Sequence, residues 1–245
     1  MKVTAANLSF SYGEKSVFHD LSFVFNTECS PVVILGSSGC GKTTLIKLIA
    51  ALIQPEKGKI QIESGTAGGD TSAPSVSCVF QEPCLLLHMS VLENTALPIR
   101  KIYGRETSLN IAREALASVQ LADKSEARPD ELSGGQKQRA ALARAFAYPS
   151  EIIMMDEPFQ SLDIPLKLDL MDLTASLLAE KKRLAVIISH DPREAVYLGK
   201  RVLVLGKPPE GIIFDEEITL SNEERAYGSA AAAKFEKKII DVLKR

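Results

Sequence analysis

Residues 32–53 read VVILGSSGCGKTTLIKLIAALI. Four apolar residues lead into a glycine-rich turn, and an apolar pattern of helical period follows it. A short, continuous apolar run suits a strand buried on both faces, as in a parallel sheet. The spacing G-x-x-x-x-G-K-T, carried by Gly36, Gly41, Lys42 and Thr43, is that of the Walker A phosphate loop. Its chemistry needs these residue types. Glycines let successive N–H groups curl into a nest around phosphates. Lys42 brings a point charge to the β- and γ-phosphates, and the Thr43 hydroxyl is a ligand for Mg²⁺. The segment Gly36, Ser37, Ser38, Gly39, Cys40, Gly41, Lys42, Thr43, Thr44 is therefore expected to bind a nucleotide. Cys40 has two readings: a thiol of lowered pKa at a helix start, or a small residue that fits.

Upstream, VTAANLSFSYG and SVFHDLSFVFN alternate with period two around turn residues, the pattern of antiparallel strands. Downstream, Gly58 introduces another strand, KIQIE, and the small-residue stretch ESGTAGGDTSAPS reads as an exposed loop before the strand VSCVF. From Pro83 to about Tyr148 only helical patterns occur: SVLENTALPIRKIYG, SLNIAREALASVQL and GGQKQRAALARAFAY. Alternation then resumes with EIIMMDE, PLKLDLMDLTASLLAE, RLAVIISH, PREAVYLG, KRVLVLG and GIIFDEE. Strand–helix–strand repetition implies a parallel sheet. The tail from Ser221 to Arg245 is an amphipathic helix candidate with alanines 230–233 in its middle. One α/β domain over 1–245, with a helical insertion at about 83–148, is the economical organisation.

Composition narrows the function classes. The chain has 245 residues, 45% hydrophobic and 24% charged, with a formal net charge of −2. That charge offers no footprint for nucleic acid. Its four cysteines show neither metal-ligand spacing nor a disulfide framework, which fits a reducing compartment. The N-terminal stretch lacks the apolar core of a signal peptide, and no apolar run approaches the ~20 residues of a membrane span. A cytoplasmic protein is expected.

Two further stretches carry chemistry. IIMMDE, residues 152–157, is an apolar strand ending in two acids. An aspartate at such a strand end, beside a phosphate loop, fits the second Mg²⁺ anchor, so Asp156 takes that role. Glu157 is then placed to act as general base on the attacking water. LSGGQKQR, residues 132–139, is a second anion-binding helix start, with Ser133 as cap and Gly134 and Gly135 allowing close approach. One nucleotide has no evident need of two helix N-termini in one chain. Two chains meeting head to tail would give the second start a purpose, closing over the partner's γ-phosphate.

With these motifs in this order, the chain resembles the nucleotide-binding subunits of ABC transporters along its whole length. The resemblance implies a P-loop NTPase fold: a RecA-like parallel-sheet core, an N-terminal antiparallel β-subdomain and an inserted α-helical subdomain. It makes Leu132–Gln136 the signature, with Ser133, Gly134, Gly135 and Gln136 contacting a partner's ATP. Tyr12 in SFSYG matches the aromatic residue that stacks on adenine. Gln81 in VFQEP matches the glutamine that touches Mg²⁺ or the attacking water and links to the membrane subunits. Ser161-Leu162-Asp163 matches the loop crossing the dimer interface, and His190 in IISHD the switch histidine at the γ-phosphate. Gln160 departs from the small residue usual at its position. The implied catalytic set is Glu157, His190, Gln81 and Lys42, with Thr43, Gln81 and Asp156 at the metal and Asp163 at the nucleotide.

The segments SVLENTALPIRK and HDPREAVYLGKRVLVL look most like those of importers of nitrate, sulfonate, taurine and related solutes. The resemblance therefore implies an ATP- and Mg²⁺-dependent ATPase that pairs with a second copy of itself. It would dock on integral-membrane permease subunits at the inner face of the cell membrane and act indirectly with a solute-binding protein. The alternative is a soluble ABC ATPase of chromosome maintenance or translation, whose usual long coiled coils or tandem copies are missing here. A P-loop kinase would leave LSGGQ and His190 without a role.

Overall fold

A computed structural model describes residues 1–63, 75–160, 162–180 and 183–244. The loop expected at 64–74 and Ser161 lie outside the described residues. By internal contacts the chain divides into two compact units, Met1–Pro74 with Lys182–Arg245, and Ser75–Lys181.

The first unit opens with the two alternating stretches as antiparallel strands, β1 (Lys2–Tyr12) and β2 (Lys15–Asn26). Tyr12 pairs with Lys15, so the turn is Gly13-Glu14, with Gly13 at φ 59°. A two-residue hairpin favours this left-handed backbone because its twist matches that of the strands. The third strand of the sheet, β4 (Lys57–Glu63), pairs with the other edge of β1. Register slips on both sides of Asn7, which sits at φ 49°. The Ser22 hydroxyl holds this bulge, accepting from the Asn7 N–H at 2.9 Å and donating to its Oδ1 at 3.3 Å.

The unit's second sheet is built on β3 (Val32–Gly36), flanked in parallel by β7 (Leu184–Ile188) and β8 (Arg201–Leu205). Every residue of β3 and β7 is buried, as their unbroken apolar runs require. The last strand, β9 (Ile212–Glu217), lies antiparallel on β8, so the alternating plan does not extend to it. No helix separates the two. The chain reverses between Gly206 and Gly211, whose backbones hydrogen-bond at 2.8 Å. So short a link admits only the antiparallel arrangement.

Helix α1 (Lys42–Ile49) contacts β3 and buries Leu45, Ile46, Leu48 and Ile49. It stops short of the apolar pattern that runs on to Ile53, because Ala51 adopts φ 55°. Helix α7 (Pro192–Leu198) contacts β3 and α8 (Ala230–Leu243). The alanines begin α8 rather than occupy its middle: Gly228 at φ 84° turns the chain, and the Ser229 hydroxyl caps Ala232 N–H at 3.0 Å. Ahead of that cap, the Arg225 guanidinium donates to the carbonyls of Gly199, Ile218 and Leu220, pinning the tail beside the end of α7.

In the second unit, β5 (Val76–Val79) runs parallel to β6 (Ile152–Asp156). Its helices are α2 (Val91–Ala96), α3 (Arg100–Tyr103), α4 (Arg105–Ser118), α5 (Gly134–Ala147) and α6 (Ile164–Glu180). The helical pattern over 90–104 splits in two: a 3₁₀ turn at Leu97–Ile99 carries Pro98, and Gly104 at φ 77° ends α3. Proline lacks the N–H that a continuous helix would use. Helix α5 contacts α2, α4, α6 and β5, and buries Ala140, Ala141, Leu142, Ala143, Ala145 and Phe146. Among the described residues no helix is long and apolar enough to cross a membrane.

Candidate active site

The phosphate loop lies in the first unit, between β3 and α1. Ser37, Ser38 and Gly39 are exposed, whereas Lys42 is only 8% exposed. The Lys42 ammonium donates to the carbonyls of Gly36 at 2.8 Å and Ser37 at 3.1 Å. A buried ammonium costs several kcal/mol unless it is paired, so a cation held among loop carbonyls marks a place built to meet negative charge. Helix α1 starts with no side-chain cap and no acid in its first turn. The positive end of its dipole, with no acid beside it, suits an anion. These features fit a polyphosphate.

Gly41 is the tightest point of the loop. It sits at φ 103°, and a Cβ there would lie 2.7 Å from Phe18 Cζ and 2.8 Å from Val17 Cγ1. The N-terminal hairpin thus sets the floor of the loop, a long-range constraint that the local spacing did not express.

Of the two readings of Cys40, the structure supports the small residue that fits. The side chain is buried, and desolvation raises its thiol pKa despite the opposing charge of Lys42. A raised pKa leaves less thiolate at a given pH, and the thiolate is the nucleophile. At pH 8, iodoacetamide is expected to modify exposed Cys84 about tenfold faster or more than Cys40. Mass spectrometry of the labelled peptides measures this, and equal rates would restore the activated-thiol reading.

Also in this unit, Tyr12 ends β1 and is 51% exposed, its ring in a T-shaped pair with that of Phe10 at 4.9 Å. His190 is exposed at the end of β7, on a turn whose neighbour Ser189 is buried. The Ser189 hydroxyl donates to Glu194 at 2.6 Å and accepts from the Asp191 N–H at 3.0 Å.

The second unit carries the remaining candidates. Asp156 ends β6 half-buried, and Glu157 follows at φ 48°, a left-handed backbone uncommon for a residue with a side chain. Burial raises the thiol pKa of Cys78, and the negative charge of Asp156 adds to that rise. Gln81 is exposed beyond β5. Asp163 is exposed and caps α6, its Oδ1 accepting from Leu166 N–H at 3.0 Å.

At the head of α5, Ser133 and Gln136 form a reciprocal capping box. The Ser133 hydroxyl accepts from Gln136 N–H at 3.3 Å, and Gln136 Oε1 accepts from Ser133 N–H at 3.0 Å. The two glycines differ. A Cβ on Gly134 would meet nothing within 4 Å, but one on Gly135 would lie 2.6 Å from Leu166 Cδ2 of α6. Gly134 is open to a visitor, whereas Gly135 is required by packing inside its own unit.

Two residues of α5 drew no role from the sequence. Gln138, 3% exposed, donates from Nε2 to the carbonyls of Pro158 at 2.8 Å and Phe80 at 3.4 Å. Arg144 donates to the carbonyls of Pro83 and Cys84, both at 2.7 Å. Only their polarity inside an otherwise alanine-rich helical face could have drawn notice. Among the described residues no group of three or more His, Cys, Asp or Glu side chains is placed to hold a metal ion. A divalent cation would need phosphate oxygens alongside few protein ligands, the usual manner of Mg²⁺.

A phosphate loop on a β-strand and a strand ending in two acids define a nucleotide-hydrolysing class, and the signature narrows it further. Residues 18–160 match the ABC transporter family, and the chain belongs to it as an ATP-hydrolysing cassette. It is 37% identical to the aliphatic sulfonates import ATP-binding protein SsuB 1 of Rhodococcus jostii, over 95% of this chain and 89% of that one. The thiamine import ATP-binding protein ThiQ of Mesorhizobium japonicum is likewise 37% identical, over 81% and 78%. Among solved structures, the dimeric bacterial ABC transporter cassette MJ0796 superposes with a TM-score of 0.75 at 27% identity, covering 89% of this chain and all of that one. A post-hydrolysis dimer of the same cassette with ADP and Pi gives 0.74 at 28% identity.

Proposed function

We propose that the chain energises an importer of a small solute, of the class that includes sulfonates, nitrate and taurine. Two copies pair head to tail around two ATP molecules, and Mg²⁺ would be held by Thr43, Asp156 and Gln81, where it would offset phosphate charge. In this reading the loop Gly36–Thr44 cradles the phosphates, Lys42 pairs with the β- and γ-oxygens, and Tyr12 stacks on the base. Thr43, Asp156 and Gln81 serve the metal, Glu157 takes the proton of the attacking water, and His190 meets the γ-phosphate. Ser133, Gly134, Gly135, Gln136 and Asp163 serve the partner's nucleotide. The full length acts as one cassette, with about 83–148 as its helical subdomain and the tail helix within it.

Closure on ATP and separation after hydrolysis drive a permease at the cytoplasmic face of the membrane. The energy source is the ligand's greater affinity for the closed pair. A separate binding protein delivers the solute, and no nucleic acid takes part.

The observation that carries this reading is the uncapped start of α1, with the buried Lys42 ammonium held against loop carbonyls. The importer assignment is supported by relatives whose names place them in sulfonate and thiamine import. The test is to tag the chain in its own cell, extract membranes in mild detergent and identify what co-purifies. A multi-span protein in stoichiometric amount is expected. Recovery only from the soluble fraction, with ribosomal or nucleic-acid partners, would overturn the importer.

A further inference from the structure

The turn bearing Glu157 needs support from outside itself. A side-chain residue in the left-handed region costs of order 1 kcal/mol or more and persists only where its surroundings enforce it. Within the turn, Gln160 N–H donates to the Glu157 carbonyl at 3.2 Å, and Pro158 has no N–H to contribute. A further hold comes from α5. Gln138 reaches from that helix to the carbonyl of Pro158, next in chain to Glu157, and to the carbonyl of Phe80, next in chain to Gln81. The amide offers two N–H groups, so one side chain serves both carbonyls. Five residues earlier, Ser133 caps the same helix.

We propose that Gln138 is a positioning residue for hydrolysis, a buried amide that ties the carboxylate turn, the glutamine segment and the signature helix into one unit. It touches neither nucleotide nor water. It fixes the backbone on which Glu157 and Gln81 stand, so that a displacement of α5 at its signature end moves both. Gln138 belongs to the second unit and the phosphate loop to the first, so its loss should spare ATP binding and impair the chemical step. The proposal rests on Glu157 and Gln81 having the roles given above.

Gln138→Met keeps length and volume while removing both donors. In the full chain it should lower kcat about tenfold, the consequence of losing roughly 1.4 kcal/mol of transition-state positioning. KM for ATP should stay within about twofold, since ground-state binding is untouched. Combined with Glu157→Gln, it should lower turnover no further than Glu157→Gln alone, because residues acting as a unit are non-additive. Wild-type kcat in Gln138→Met, a loss of ATP binding equal to the loss of kcat, or fully additive losses in the double variant would overturn the proposal. If Gln138→Met does not fold, Gln138→Leu, which also removes both donors at similar volume, takes its place under the same criteria. Glu157→Gln run alone separates the two claims: if it turns over normally, the base assignment fails whatever Gln138→Met does.

Discussion

Glu157→Gln is expected to lower steady-state ATP turnover by about a hundredfold or more, while dimers accumulate in the presence of ATP. Removal of a positioned general base costs roughly 10²–10⁴-fold in rate. The substitution is nearly isosteric, and glutamine meets the same backbone penalty as glutamate at φ 48°. The turn after β6 should therefore keep its shape. What changes is the charge: each chain loses one negative group near a polyanionic nucleotide, which favours the closed pair and removes the acceptor for the water's proton. Phosphate release measures the first effect, and size-exclusion chromatography with and without ATP the second. Normal turnover would sink the base assignment. Lost turnover without dimer accumulation would place the glutamate's role in assembly instead.

Gly41→Ala is expected to weaken ATP binding about a hundredfold, roughly 2.7 kcal/mol, without unfolding the chain. Two costs act together. Alanine at φ 103° is strained wherever it occurs, and its methyl group would press on Phe18 and Val17. Phe18 is 1% exposed, packed within the N-terminal hairpin sheet, and has nowhere to retreat. The loop must move instead, and its N–H groups leave the positions in which they converge. Gly39→Ala is the useful contrast. Its φ is 79°, but a methyl there meets nothing within 4 Å, so only the backbone cost applies. Titration with a fluorescent ATP analogue ranks the three proteins. Unchanged affinity in Gly41→Ala would show that the loop tolerates displacement and that the hairpin does not brace it.

Much of this was written locally in the chain. The phosphate loop, the strand ahead of it and the acids closing β6 are defined by spacing over a few residues, so the sequence displayed them directly. The hairpin of β1 and β2 was legible for the same reason, from alternation and an adjacent turn. What escaped depended on distant partners or on one backbone angle. The direction of β9 is decided by the reversal at Gly206–Gly211, not by the apolar pattern of GIIFDEE. Ala51, an ordinary helix former, ends α1 because its φ is 55°. Gly134 and Gly135 read as equivalent until Leu166 of α6 separated them. Gln138 looked like any polar position on a solvated helix, since its acceptors lie 58 and 20 residues away in sequence.

The antiparallel strand β9 has a further consequence, for behaviour in a crowded cell. It forms the outer margin of its sheet, where unpaired backbone groups invite strand addition from a neighbouring molecule. The segment carries Asp215, Glu216 and Glu217 in succession. Asp215 is clasped by Arg201 through two contacts at 2.6 and 2.7 Å, and Glu216 by Lys238 of α8 at 2.5 Å. A second molecule attempting to extend the sheet would bring its own Asp-Glu-Glu against this one and would have to displace those cations. The margin thus guards itself against self-templating by its own charged strand.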